Sequence, residues 1–186
     1  MFETAEVRHR ISKAQYAREV PALWARLLQA QRRLRTADFP VVVIVAGVEM
    51  AGKSEVVHRF HEWLDARGVQ TIAFWDESDE ERERPYAWRF WRQLPPAGSI
   101  AIFMGAWYSG PIARRTGGKL GRKAFAAELA RIVELERTLA DGGALLVKLW
   151  FHISRQEQAQ RLKRLKRAQR RKLTPQERSL PKQYER

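Results

Sequence analysis

Residues 40–46 (PVVVIVA) constrain the fold of this 186-residue chain more than any other stretch. β-Branched side chains suit a pleated strand and lose rotamer freedom in a helix. An apolar run without alternation needs cover on both faces, as in an interior strand of a parallel sheet. Gly47 ends the run. Residues 53–67 then carry Val56, Val57, Phe60, Trp63 and Leu64 at helical spacing, with Gly68 behind them. A buried strand, a tight turn and an amphipathic helix make the first half of a βαβ unit, so an open α/β sheet is expected.

The turn, Gly47-Val48-Glu49-Met50-Ala51-Gly52-Lys53-Ser54, fits the phosphate-loop pattern GxxxxGK[ST]. Glycines let successive backbone N–H groups point inward as an anion-binding nest, and the helix start adds its positive dipole end. Gly47, Ala51, Gly52, Lys53 and Ser54 are therefore the expected phosphate contacts. Lys53 places a point charge between phosphoryl groups, and the Ser54 hydroxyl suits a magnesium ion or a phosphate oxygen. Glu49 would repel phosphate; it makes sense holding a metal ion, facing an acceptor, or exposed at the loop tip.

Elsewhere, residues 12–36 carry helical periodicity, with Ser12 as cap and Pro21 as a break or the true start. Residues 69–75, 99–104 and 144–153 read as further strands, and 88–94, 122–139 and 154–172 as helices, the last capped by Ser154. Residues 76–84 and 106–121 read as loops, and Thr174-Pro175 opens another helix. Strands alternating with helices predict a mostly parallel sheet with helices on both faces, as a single domain over 1–186. Its parts are amino-terminal helices (1–38), a core (39–153) and basic helices (154–186). The last helical pattern is unfinished at Arg186, so a fragment of something longer is expected.

An apolar fraction of 45% supports a core. The absence of cysteine excludes disulfides, thiolate metal sites and a cysteine nucleophile, and fits a cytoplasmic protein. The amino terminus lacks a signal-peptide pattern, and Val41–Ala46 is far too short to span a bilayer, so no membrane partner is expected. His9, His58, His61 and His152 form no metal-ligand pattern. The net charge is +14, and residues 155–186 hold twelve Lys/Arg against three acids. Such a field attracts nucleic acid, acidic membranes, nucleotides or polyphosphate without choosing among them, and a solvated helix face explains it equally well.

Four ordered segments resemble the polyphosphate kinase type 2 family across residues 22–175. They are VVVIVAGVEMAGKSEVVHRF; Glu81-Arg82-Glu83-Arg84-Pro85 with Trp88-Arg89-Phe90-Trp91 and Leu94-Pro95; Phe103-Met104-Gly105-Ala106-Trp107-Tyr108; and Leu149-Trp150-Phe151-His152-Ile153-Ser154 with Glu157-Gln158 and Arg161-Leu162. The resemblance implies a P-loop kinase-like three-layer sandwich with a helical lid, like thymidylate kinase. It also implies transfer of phosphoryl groups between inorganic polyphosphate and AMP or ADP, a need for Mg2+, and a homo-oligomer. The family has Asp-Arg where this chain has Met104-Gly105, and Arg-Asp where it has Val48-Glu49. This altered pattern looks most like the amino-terminal half of two-domain polyphosphate:AMP phosphotransferases, and implies weakened catalysis.

Glu49, Lys53 and Arg84 are the residues expected to serve transfer, and Glu49 and Ser54 the metal. Arg89, Arg114 and Arg161 join the loop as expected phosphate contacts, since phosphoryl transfer needs positive charge around the moving group. For Arg84 and Arg89, ion pairing with Glu80, Glu81 and Glu83 is an equal alternative. Arg114 and Arg115 are expected in a glycine-rich loop lining a channel. Trp107 and Tyr108 are expected to pack beneath their loop rather than stack on a base. Arg161, Lys163, Arg164, Lys166, Arg167 and Arg170 are expected on the lid helix, spread over more than one face. Two other readings stand beside the kinase: a polyphosphate- or nucleotide-binding domain without turnover, and, more weakly, a nucleic-acid binder, since the basic tail has only Tyr184 as an aromatic.

Overall fold

A computed structural model describes residues 11–169. The predicted helix at Thr174-Pro175, together with His9, Arg170 and Tyr184, lies outside them. Four parallel strands run β1 (Val41–Gly47), β2 (Val69–Ala73), β3 (Ile100–Met104) and β4 (Leu145–Phe151), in the spatial order β2-β3-β1-β4. The helices are α1 (Lys13–Leu34), α2 (Lys53–Trp63), α3 (Asp79–Arg82), α4 (Trp88–Trp91), α5 (Ser109–Thr116), α6 (Arg122–Asp141) and α7 (Arg155–Gln169).

The apolar run at 41–46 is the interior strand, and its pleat divides the core in two. Val41, Val43 and Val45 face Leu34 of α1 and Val57 and Leu64 beyond the loop. Val42, Ile44 and Ala46 face Phe90, Trp107, and Ile132 and Leu139 of α6. Helices thus cover both faces of the sheet, giving the expected three layers.

Pro21 lies inside α1 without dividing it. Ser12 caps that helix, accepting from the Gln15 N–H at 3.0 Å. Gln31 ties α1 to the turn after α2: its amide donates to the Asp65 carbonyl and accepts from the Asp65 N–H, both at 2.8 Å. Nearby, Trp24 Nε1 donates to the Trp63 carbonyl at 2.9 Å.

Besides Pro21, three expectations need correction. The helix after the loop ends at Trp63 rather than Arg67, followed by a short 3-10 turn at Ala66–Gly68. The charged segment 76–84 contains α3, because Ser78 and Glu81 form a reciprocal capping box. Residues 106–121 are not simply loop: α5 forms there once Trp107 and Pro111 are buried, a tertiary gain that the glycine content concealed.

Candidate phosphate-binding site

The loop after β1 is shaped by backbone conformations that side chains resist. Gly47 has φ +124, and a Cβ there would sit 2.6 Å from the Phe151 backbone nitrogen and closer still to its carbonyl oxygen. Gly52, at φ +101, starts α2 from a left-handed conformation, with only the Glu55 side chain, at 3.8 Å, near the place of a Cβ. Met50 is the one non-glycine with positive φ among the described residues, at 68. Val48 N–H donates to the Phe151 carbonyl at 2.8 Å, anchoring the loop on β4.

Lys53 folds back over this loop. Its ammonium donates to the carbonyls of Gly47 at 3.0 Å and Val48 at 3.4 Å, and pairs with the Glu49 carboxylate at 2.7 Å. Ala51 and Ser54 lie on the same turn, with Ser54 exposed in the first turn of α2. Glu49 is therefore an internal anion beside the lysine that the motif reserves for phosphate. Its side chain is 61% exposed against 16% for Lys53, so it can swing away into water when a ligand arrives.

The base of α7 grips the outside of the loop. Gln158, nearly fully buried, donates to the Glu49 carbonyl at 3.2 Å, and Arg161 Nη1 donates to the Met50 carbonyl at 2.9 Å while its Nε pairs with Glu157 at 2.8 Å. Arg161 thus holds the loop's backbone rather than standing free for an anion. Ser154 caps α7, accepting from the Glu157 N–H at 3.2 Å. Lys163, Arg164, Lys166 and Arg167 are exposed along it.

Arg89 is nearly buried. It pairs with Glu81 at 3.3 Å and Glu77 at 3.9 Å, donates to the Trp75 carbonyl at 2.9 Å, and lies over the rings of Phe74 and Phe90. Its Nε has no hydrogen-bond partner among the described residues. Arg84 is exposed and lies over the Trp88 ring at 5.5 Å. Arg114 belongs to α5 and pairs with Glu128 of α6 at 3.0 Å, and Arg115 donates to the Leu120 carbonyl at 3.2 Å, so neither lines a loop channel as expected. The loop, Glu49, Lys53, Ser54 and Arg161 are brought together; Arg84, Arg89 and Arg114 are held on other elements.

Trp107 and Tyr108 pack as expected, around a carboxylate that inspection of motifs overlooks. Glu136 of α6 accepts from Trp107 Nε1 at 3.1 Å and the Tyr108 hydroxyl at 2.7 Å on one oxygen, and from Lys148 of β4 at 2.8 Å on the other. Burial would raise the Glu136 carboxyl, but the hydrogen bonds from Lys148, Tyr108 and Trp107 outweigh it and hold the group below the usual carboxylate range. The same carboxylate raises Lys148, chiefly through the hydrogen bond. Tyr86 donates to the Trp107 carbonyl at 2.9 Å, and burial pushes its hydroxyl up to about 12. The signal for Glu136 was available: it follows Ile132 by four and precedes Leu139 by three, on the buried stripe of α6.

The positions that depart from the family pattern differ in their freedom to change. Met104 packs among the apolar side chains on the α2 side of the sheet. Gly105 has φ +68, and a Cβ there would approach the Phe74 carbonyl oxygen to 2.6 Å. Gly105→Arg is expected to destabilise the fold by about 2 kcal/mol through backbone strain, read as a lowered urea midpoint. An unchanged midpoint would mean that the end of β2 yields at Phe74. Met104→Asp avoids this strain and is the cleaner way to restore an acid.

No group of three or more histidine or acidic side chains able to hold a metal occurs among the described residues. Mg2+ is commonly held by one or two carboxylates with substrate phosphates completing its shell. Glu49 and Ser54 are the oxygen donors that the loop offers for such a role, with Glu49 engaged by Lys53; the Met104 thioether is not an oxygen donor. No helix among the described residues is long and apolar enough to cross a membrane.

The sequence pattern of the family described as Polyphosphate kinase 2 matches residues 10–185. A polyphosphate:AMP phosphotransferase of Pseudomonas aeruginosa is 45% identical over 166 residues, covering 89% of this chain and 34% of the relative. A GDP-polyphosphate phosphotransferase of the same organism is 32% identical over 152 residues, covering 82% of this chain and 43% of the relative. The crystal structure of a polyphosphate kinase 2 from Arthrobacter aurescens superposes with a TM-score of 0.86 at 26% identity, covering 97% of this chain and 66% of that one. The chain thus spans about a third of the length of the first of these relatives.

Proposed function

The chain belongs to the polyphosphate kinase 2 family, and from that premise we propose that it transfers phosphoryl groups between inorganic polyphosphate and AMP or ADP at the loop 47–54. The observation that carries this reading is the loop itself: a strand-anchored turn with left-handed Gly47 and Gly52, the start of α2 behind it, and Lys53 poised over its carbonyls. A terminal phosphate oxygen of the nucleotide attacks the terminal phosphorus of the polyphosphate. The bridging P–O bond breaks, and the chain leaves one unit shorter as an oxyanion.

Lys53 exchanges Glu49 and the loop carbonyls for phosphoryl oxygens, and backbone N–H groups of the loop take the rest. Gln158 and Arg161 keep the loop in shape while this happens. Mg2+ would be held by Glu49, freed from Lys53, and by Ser54, and would neutralise charge on the phosphates. Arg84, Arg89 and Arg114 reach phosphate only by leaving their present partners, so the first anion contacts are those of the loop and Lys53. The same reading takes a homo-oligomer in the cytoplasm as the working form.

The test is coupled detection of ADP or ATP formed from AMP or ADP with polyphosphate and Mg2+. Product well above a Lys53→Ala control is expected; product equal to that control sinks the reading for this chain. A second reading, a binding domain without turnover, is favoured by Met104, Gly105 and Val48, which supply neither the acid nor the arginines of the family pattern. It expects salt-sensitive polyphosphate binding, abolished by Lys53→Ala, with no product.

A further inference from the structure

Trp75 is the most exposed large apolar side chain among the described residues, at 81%. A tryptophan left in water is not by itself informative, but its support is. Arg89 holds the Trp75 carbonyl at 2.9 Å, and is itself fixed by Glu77 and Glu81 and by the faces of Phe74 and Phe90. Just before it, Phe74 N–H donates to the Met104 carbonyl at 2.8 Å, continuing the β2–β3 pairing. The indole is thus presented from a fixed backbone at the carboxyl end of the sheet, where open α/β folds bind ligands.

The register fixes where this platform stands. Ala73 and Val45 both pair with Met104, so the segment that carries Trp75 and the stretch that leads into the loop at Gly47 leave β3 at the same level of the sheet. In the order β2-β3-β1 the first lies two strands from the second, about 10 Å sideways, within the reach of one nucleotide from phosphate to base. The segment after it is acidic, with Asp76, Glu77, Asp79 and Glu80. Glu77, Asp79 and Glu80 pair with Arg89, Arg82 and Arg92, which offset much of that charge; the neutral ring therefore offers stacking rather than charge, whereas Lys53 offers the cation that phosphates need.

We propose that Trp75 is the stacking platform for the nucleobase of the acceptor nucleotide and sets the preference for nucleotides over base-free phosphates. The proposal rests on the phosphotransferase reading and adds the residue that recognises the acceptor's uncharged end. Aromatic stacking on a base is sequence-tolerant, so Trp75 selects for a base rather than for one base.

The experiment is calorimetric titration of wild type, Trp75→Ala and Trp75→Phe with ADP, ribose 5-phosphate and tripolyphosphate, with melting curves to confirm that each variant is folded. Trp75→Ala should weaken ADP binding by roughly tenfold or more and leave ribose 5-phosphate and tripolyphosphate unchanged; Trp75→Phe should restore most of the loss. Equal ADP affinity in wild type and Trp75→Ala overturns the proposal, and so does equal weakening of ADP and tripolyphosphate, which would mean a disturbed loop. Neither result touches the phosphotransferase reading, which stands or falls on product formation against the Lys53→Ala control.

Discussion

Gly47→Ala should cost about 4 kcal/mol or more, at the upper end of single substitutions, and remove tripolyphosphate binding with it. Two effects act together. At φ +124 an alanine is strained whatever surrounds it, and its Cβ would overlap the backbone of Phe151 on β4. Because the obstacle is main chain in a parallel sheet, no rotamer change relieves it. The sheet must open where β1 and β4 pair at Gly47 and Phe151, which also breaks the bond from Val48 N–H to the Phe151 carbonyl. Urea unfolding measures the first effect and calorimetry the second. Gly52→Ala is the matching control: its φ is +101, but a Cβ there meets only the Glu55 side chain at 3.8 Å. It should keep most of the stability while distorting the start of α2. Similar midpoints for the two variants would show that β4 does not clamp the loop.

Glu136→Ala should cost about 3 kcal/mol, since it leaves a buried indole N–H and a tyrosine hydroxyl without their acceptor and Lys148 without its counter-ion. Trp107 is fully buried between Phe90 and Phe103, so its N–H has no route to water unless the core loosens. The pH dependence follows from the lowered carboxyl of Glu136. A carboxyl held below its unfolded value, about 4.3, stabilises the fold above that pH and ceases to do so as the pH falls through the lower folded value. Wild type should therefore lose stability on acidification below about pH 5, and Glu136→Gln should lose less over the same window. Parallel acid profiles for the two proteins would remove Glu136 from the account.

These two sites differ in how far the sequence revealed them. Gly47 was legible because the loop is local: strand, turn and helix occupy consecutive residues, and the pattern of glycines and Lys53 has one main use. The motif did not reveal what makes Gly47 irreplaceable, the approach of Phe151, more than a hundred residues away. Glu136 was less legible still. Its place on the apolar stripe of α6 can be counted, but its partners come from β4 and from the turn after β3. The same limit explains α5, where burial of Trp107 and Pro111 overrides a glycine-rich composition, and Arg114, which finds Glu128 only because α5 lies against α6.

The layered α/β fold and the loop at 47–54 were legible in the sequence because periodicity and a contiguous motif are local properties of the chain, and the family was legible as a resemblance spread over four ordered segments. Only the tertiary structure decided who occupies Lys53, what grips the loop from outside, and where Trp75 stands relative to it. Glu49 is within reach of Lys53 because the left-handed turns fold the loop back on itself. Gln158 and Arg161 meet the loop because β4 lies beside β1 and delivers α7 to it. The segment carrying Trp75 and the stretch leading into the loop leave β3 at the same level because Ala73 and Val45 both pair with Met104. The last two depend on hydrogen-bonded pairings between distant segments, whose partners are chosen by the packing of the whole sheet.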